Sequence, residues 1–236
     1  MIPKSKTLPK HIAIIMDGNR RWAEQKKLSK IRGHRAGLDA LEEVIKACAK
    51  SGIETLTLYA FSTENWRRSK IEVDTLLSLF EESMKSNFEK LCANNIRINV
   101  IGRIEAFPSS IANELAKYME KSSKNTGMTV TFALNYGARQ EIVDAVKSVF
   151  EKVKEKDLDV SSLDEKGFRE FLYTGDLCDP DMIIRTGGEM RLSNFLLWQA
   201  AYSEIYVTDT LWPDFNEKEL EKALDEYAKR SRRFGK

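Results

Sequence analysis

Six short runs of this chain are predominantly apolar or β-branched with little polar alternation, and that feature restricts the fold more than any other. They fall at 12–16, 55–61, 96–101, 129–134, 182–184 and 205–208. A strand with one wet face alternates apolar and polar residues, whereas a continuous apolar run calls for cover on both faces. Between the runs, apolar residues recur at spacings of three and four, as helices require. Val73, Leu76, Leu77, Phe80, Met84, Phe88 and Leu91 form one such stripe, and Ile142, Val143, Val146, Val149, Phe150 and Val153 another. A last helix is expected over 216–233, acidic at its start and basic at its end, as the helix dipole favours. Strands alternating with helices predict an α/β fold with a central, mostly parallel sheet and helices on both faces. No repeat, low-complexity tract or Pro/Gly-rich linker interrupts the chain, so residues 1–236 read as a single domain.

Composition narrows the function. Hydrophobic residues make up 42% and charged residues 31%, enough for a sizeable core under a well-solvated surface. The net charge of +2 argues against a nucleic-acid partner, so any anion site must come from local arrangement. No apolar stretch reaches bilayer-spanning length, and residues 1–10 lack a signal-peptide core, so a cytoplasmic location is expected. Cys48, Cys92 and Cys178 form no CxxC pair and are expected as buried thiols in a reducing compartment. Two histidines, His11 and His34, are too few for a histidine-rich metal centre.

In parallel sheets ligands bind beyond the carboxyl ends of the strands, and four polar clusters stand at strand ends here. The first is Asp17, Gly18, Asn19, Arg20, Arg21 and Trp22, directly after the 12–16 run. Free amides at a helix start bind phosphate, and Mg²⁺ joins a carboxylate to phosphate oxygens. The stretch fits equally well an Asp17 helix cap followed by solvated arginines. The second cluster is Ser62, Thr63, Glu64, Asn65, Trp66, Arg67 and Arg68. A capping box explains Ser62 and Glu64 but leaves Trp66 and Arg68 without a role. The third is RTGGEMRLS (185–193), where a glycine pair, two arginines and a hydroxyl suit a diphosphate clamp or, more simply, surface ion pairs. The fourth is Ser203 and Glu204, before the last strand. Neither GxxxxGK[ST], GxGxxG nor GxSxG occurs, and Asn19 stands where a haloacid-dehalogenase-like phosphotransferase needs a second aspartate.

Together with GHRAG (33–37), LTLYAFSTENW (56–66), NYGAR (135–139), RTGGEMRLSNFLLWQ (185–199) and LWPDF (211–215), the DGNRRWA stretch resembles the cis-prenyltransferases over nearly the whole chain. The resemblance implies a homodimeric α/β fold with a six-stranded sheet and an apolar tunnel. It implies repeated addition of isopentenyl diphosphate to an allylic diphosphate, usually farnesyl diphosphate. The expected product is a long-chain polyprenyl diphosphate such as undecaprenyl diphosphate, a lipid-carrier precursor for cell-wall synthesis that is delivered to the membrane, with transient membrane association of the enzyme. By position, Asp17 is the Mg²⁺ ligand and catalytic carboxylate, Glu204 the second metal-linked carboxylate, and Asn65 the assigned proton acceptor. Gly18, Asn19, Arg20, Arg21, Trp22, Lys30, His34, Ser62, Thr63, Glu64, Trp66 and Arg68 match the substrate-contacting set. Arg185, Arg191, Leu192 and Ser193 match the isopentenyl diphosphate pocket, and Arg233-Phe234-Gly235 matches a tail that reaches across the dimer. Leu76, Leu77, Phe80 and Met128 are the expected tunnel wall. Lys30, Ser69 and Ala138 depart from the family's usual arginine, proline and glycine; only Lys30 touches substrate affinity, because lysine lacks the guanidinium fork. Two other readings stand beside this one: a non-catalytic partner subunit, and a phosphate-ester hydrolase built on Asp17 and Mg²⁺.

Overall fold

Every strand pairing in the sheet is parallel. The computed structural model describes residues 8–230. Strands β1 (His11–Ile15), β2 (Thr55–Ser62), β3 (Arg97–Ile101), β4 (Thr129–Tyr136), β5 (Met182–Arg185) and β6 (Glu204–Val207) form one six-stranded sheet in the order β3-β4-β2-β1-β5-β6. Helices α1 (Asn19–Gln25), α2 (Lys30–Lys50), α3 (Lys70–Ser83), α4 (Glu89–Ala93), α5 (Ser109–Lys121), α6 (Ala138–Lys154), α7 (Glu165–Arg169) and α8 (Glu217–Lys229) connect and cover it. All six strands lie within two residues of their expected bounds.

The apolar runs are explained by β1. Ile12 and Ile14 point into a large core shared with α2, α5 and α8, while Ala13 and Ile15 point into a smaller one with Phe195 and Leu196. Successive side chains take opposite faces, so a strand buried on both must be apolar throughout. The stripe from Val73 to Leu91 forms α3 and α4, joined by a π-helical turn at Met84–Phe88 that keeps Met84 and Phe88 both buried. The last helix ends at Lys229 with Arg230 already extended, and residues 231–233 of the expected span lie outside the described residues. Met128 is buried just before β4, within the larger core. The cysteines are free, but only Cys48 is fully buried; Cys92 is intermediate and Cys178 exposed, so the expectation of buried thiols holds for one of them. Burial pushes the Cys48 thiol up to about 12, which makes it inert at neutral pH.

His11 ties β1 to its surroundings: Nδ1 lies 2.7 Å from the Cys178 carbonyl and Nε2 2.8 Å from the Thr57 hydroxyl. Burial holds this imidazole down at about 4, against an ordinary 6.5. A depressed histidine contributes stability that is complete above about pH 6.5 and lost as pH falls toward about 4. The loss should be on the order of 3 kcal/mol. Urea midpoints at pH 7 and pH 4.5 will show it, and His11→Gln should flatten that difference. An unchanged midpoint in the native chain would mean that His11 titrates normally.

Candidate active site

The register of β1 against β5 sets Ile15 level with Arg185, so the residues leaving these two strand ends meet. Arg185 is 5% exposed. Its Nη2 donates to Asp17 Oδ2 at 2.9 Å and its Nη1 to Ser193 Oγ at 2.8 Å, with a further bond to the Arg191 carbonyl. Arg185 Nε is buried with no partner. Asp17 Oδ1 faces Arg21 Nη2 at 3.2 Å, and Arg21 Nη1 donates to the Gly187 carbonyl at 2.7 Å. The Asp17 carbonyl accepts from Trp212 N at 3.0 Å and Thr186 Oγ1 at 2.7 Å. The carboxylate is thus not a helix cap, and of the two part-exposed arginines that follow, Arg21 is drawn to it. Gly18, at φ +119°, caps α1 instead, and a Cβ there would lie 2.9 Å from Leu211. The amides behind it open a helix of only seven residues, so the dipole adds little and the arginines dominate the local field.

Beside this cluster lies a cavity of about 350 Å³ between the sheet and helices α2 and α3. Asp17, Asn19, His34, Ser62, Asn65, Arg68, Arg185 and Ser193 stand on its polar side. Its other walls are apolar and include Leu76, Leu77, Phe80, Phe88, Phe132 and Leu134. An adjoining cationic mouth is formed by Gly18, Arg20 and Arg21 together with Asp17, Asn19, His34 and Arg68. Burial, reinforced by Arg68 and Arg20 and opposed by Glu72, holds His34 down at about 4, and its Nε2 is buried without a partner. His34 is therefore neutral at physiological pH and has a hydrogen-bonding atom to spare, as does Asn19 through Oδ1.

The other expected residues are placed elsewhere. Trp22 Nε1 donates to Asp214 at 2.8 Å and its ring lies under Lys26, tying α1 to the 212–214 turn outside the cavity. Lys30 is exposed at the first position of α2 and lines neither cavity nor mouth. Thr63 and Trp66 line a separate shallow groove with Arg103 and Asn135, and Trp66 Nε1 donates to Asn135 Oδ1 at 2.8 Å. Glu64 accepts from Asn194 at 3.0 Å. Arg191 is exposed and paired with Glu189, and Leu192 packs against the smaller core. Glu204 begins β6, level with Met182 and hence with Ile12, at the other end of the sheet from Asp17. The offset is about 10 Å of strand rise from Ile12 to Ile15 alone. Glu204 instead pairs with Arg230 at 2.8 Å, so one chain does not bring the two carboxylates together. The tail at 233–235 lies outside the described residues.

Reading by motif passed over Glu141, which is fully buried on the first turn of α6. It accepts from Tyr136 Oη at 2.5 Å, Tyr173 N at 3.0 Å and Gln199 Nε2 at 3.2 Å. Burial raises its carboxyl above the usual range, against the pull of these donors. The network anchors the far end of the 185–199 loop. A helix-start glutamate next to NYGAR resembles ordinary capping, so the sequence carries no signal of its burial.

Among the described residues no three histidine, cysteine or carboxylate groups converge on a metal-sized space. Mg²⁺ usually takes one or two carboxylates and completes its shell with water and substrate phosphate. A lone Asp17 carboxylate at the cavity, held by arginines suited to the same phosphate, fits an ion that arrives with a diphosphate.

A cationic mouth opening onto an apolar cavity, at the carboxyl ends of a parallel sheet, is the site of an enzyme for substrates with a diphosphate head and a hydrocarbon tail. The family described as "Putative undecaprenyl diphosphate synthase" matches residues 15–235. An isoprenyl transferase of Oceanobacillus iheyensis is 48% identical over 228 residues, covering 97% of this chain and 90% of that protein. That of Bacillus subtilis is also 48% identical, covering 97% and 88%. Among solved structures, lavandulyl diphosphate synthase from Lavandula x intermedia, in complex with dimethylallyl diphosphate, superposes with a TM-score of 0.95 at 36% identity, covering 97% of this chain and 99% of that one. A probable undecaprenyl diphosphate synthase from Campylobacter jejuni gives 0.81 at 35% identity, covering 98% and 100%. The chain belongs to the undecaprenyl diphosphate synthase family of cis-prenyltransferases, enzymes that act on prenyl diphosphates. Removing the Asp17 carboxylate should lower the prenyl transfer rate about 10²–10³-fold in protein that still folds, at reduced stability because the buried Arg185 loses its partner. Steady-state kinetics of Asp17→Ala, with circular dichroism as the folding control, provide the check; a rate within threefold of the native enzyme would remove Asp17 from catalysis.

Proposed function

We propose that this enzyme adds isopentenyl diphosphate repeatedly to an allylic diphosphate, farnesyl diphosphate first, and that its product is a long-chain polyprenyl diphosphate of the undecaprenyl kind, a lipid-carrier precursor for cell-wall synthesis. The observation that carries this reading is the junction of a cationic mouth with an apolar cavity between the sheet and α3. A neighbouring structure solved with dimethylallyl diphosphate supports an allylic diphosphate in such a site.

Ionisation of the allylic C–O bond leaves negative charge on the departing diphosphate. Arg20, Arg21 and Arg68 are the cations around the mouth that stabilise it, and N–H groups of neutral His34 and Asn19 donate hydrogen bonds without further charge. Asp17 would hold a Mg²⁺ ion arriving with the diphosphate, which would supply additional charge neutralisation. Arg185 and Ser193 position the second diphosphate, whose double bond attacks the allylic carbon before a proton is lost. Asn65 Oδ1 already accepts the Ser62 amide at 3.0 Å, and an amide is a poor base, so Asn65 orients the diphosphates and a phosphate oxygen takes the proton. The apolar cavity excludes water from the cationic carbon. For Glu204 to reach the metal, a second copy must bring it. Val143, Val146 and Phe150 form an exposed apolar row on α6 that supports a homodimer.

Incubation with labelled isopentenyl diphosphate, farnesyl diphosphate and Mg²⁺, followed by chromatography, should give long-chain products that EDTA abolishes. Release of phosphate alone would establish a hydrolase, and no reaction a partner subunit. Leu77→Trp should shorten the product while condensation continues; unchanged length would take α3 out of the tunnel wall. Phe150→Asp should shift a sedimenting dimer toward monomer, and an unaltered sedimentation coefficient would place the interface elsewhere.

A further inference from the structure

NYGAR (135–139) and the Asn194-Phe195 step have no part in the chemistry above, yet they meet in space. Gly137 heads α6 without a side chain to cap it. Asn194 supplies the cap from a distance: its carbonyl accepts from Ala138 N at 2.8 Å and its Oδ1 from Arg139 N at 2.9 Å. A Cβ at Gly137 would lie 2.7 Å from both Asn194 Nδ2 and Thr63 Oγ1, so a side chain there would force them away. The other end of the Asn194 amide reaches back to the 62–68 segment, where Nδ2 donates to Glu64 Oε1 at 3.0 Å. Arg139 N can only donate, and the Glu64 carboxylate can only accept. The position therefore calls for a side chain that accepts at one end and donates at the other, which an amide does and a carboxylate does not.

Backbone strain marks the same place. Ser193, Asn194 and Leu196 all lie in the left-handed region, at φ +50°, +64° and +44°. Such conformations persist only where their surroundings fix them. Here Phe195 is fully buried and stacks on Tyr59 at 4.4 Å, while Asn194 is held on α6. Ser193 is thereby turned toward Arg185, and its Oγ accepts from Nη1 at 2.8 Å. On the other side of the link, Ser62, Asn65 and Arg68 share their segment with Glu64 and line the cavity.

We propose that Asn194 is a positioning residue that holds the Arg185–Ser193 clamp in register with the 62–68 segment through Glu64. The inference rests on the proposed reaction, in which that clamp carries the second diphosphate. It gives Glu64, which lines neither the cavity nor the mouth, a use other than substrate contact. Two substrates must meet at bonding distance, and a misplacement of about 1 Å between their seats is costly in rate. The bond between Glu64 and Asn194 joins the two segments that carry those seats. Its amide is thus both the cap of α6 and the strut between the subsites.

Kinetics of full-length variants with farnesyl and isopentenyl diphosphates test this. Asn194→Asp keeps the helix cap and tolerates a positive φ, but sets its second oxygen against the Glu64 carboxylate. Its melting temperature should stay near that of the native chain. Its KM for isopentenyl diphosphate should rise about tenfold, for one lost charge-assisted hydrogen bond, with KM for farnesyl diphosphate unchanged. Glu64→Gln keeps an acceptor for Asn194 and Glu64→Ala does not, so their isopentenyl KM values should differ about tenfold. Combining Asn194→Asp with Glu64→Gln restores the pair with its direction reversed, and KM should return to that of Glu64→Gln alone. A double variant as impaired as Asn194→Asp would overturn the proposal, because a mere helix cap gives no such rescue. An unchanged isopentenyl KM in folded Asn194→Asp would overturn it as well. Should Asn194→Asp not fold, the two Glu64 variants decide, and equal KM values refute the strut. Absent condensation by the native enzyme refutes the proposed function, whereas condensation with unaltered KM in these variants refutes this inference alone.

Discussion

The Asp17–Arg185 ion pair is the contact on which the site depends. Arg185 is nearly inaccessible, and a buried guanidinium without its carboxylate would be strongly unfavourable. Asp17 answers that charge with one oxygen and Arg21 with the other, while its carbonyl receives the backbone of Trp212. Three distant parts of the sequence are therefore fixed by one residue. The arrangement is also chemically provisional. Each group that now satisfies Asp17 is one that a diphosphate would attract, so the carboxylate freed in that exchange requires a cation of its own.

Parallel pairing makes this possible. Register places Ile15 beside Arg185, and the chain leaves both strands on the same side of the sheet. The apolar half of the site follows from the same layering, because α2 and α3 cover one face of β2 and β4 and leave a void that Leu134 and Phe132 line. Polar and apolar functions are thus adjacent by topology.

Much of this was legible in the sequence. β1 and β5 were found because burial on two faces demands apolar residues at both parities. Asp17, Arg185 and Ser193 were found because polar residues packed around glycines at strand ends have few structural uses. Other features depend on long-range geometry that spacing does not encode. Trp22 sits inside the strongest motif yet serves Asp214, and Trp66 leaves a shared motif for a neighbouring groove. Glu204 begins a strand, and only the register reveals that it lies at the wrong end of the sheet for Asp17 within one chain. Glu141 has the sequence setting of a capping residue, and its burial depends on Tyr136, Tyr173 and Gln199 converging from three segments.

Trp212 also bears on how the molecule comes into being. Its backbone amide reaches the Asp17 carbonyl and its indole N–H the Gly37 carbonyl, so a residue near the end of the chain closes the architecture begun by the first strand. Contacts of such sequence separation form late, after the loops between them have been paid for in entropy. A polypeptide that has emerged only as far as β5 would carry Arg21 and Arg185 but lack the Trp212 hydrogen bonds to the Asp17 and Gly37 carbonyls. The site is therefore closed only when the segment carrying Trp212 has joined the first strand.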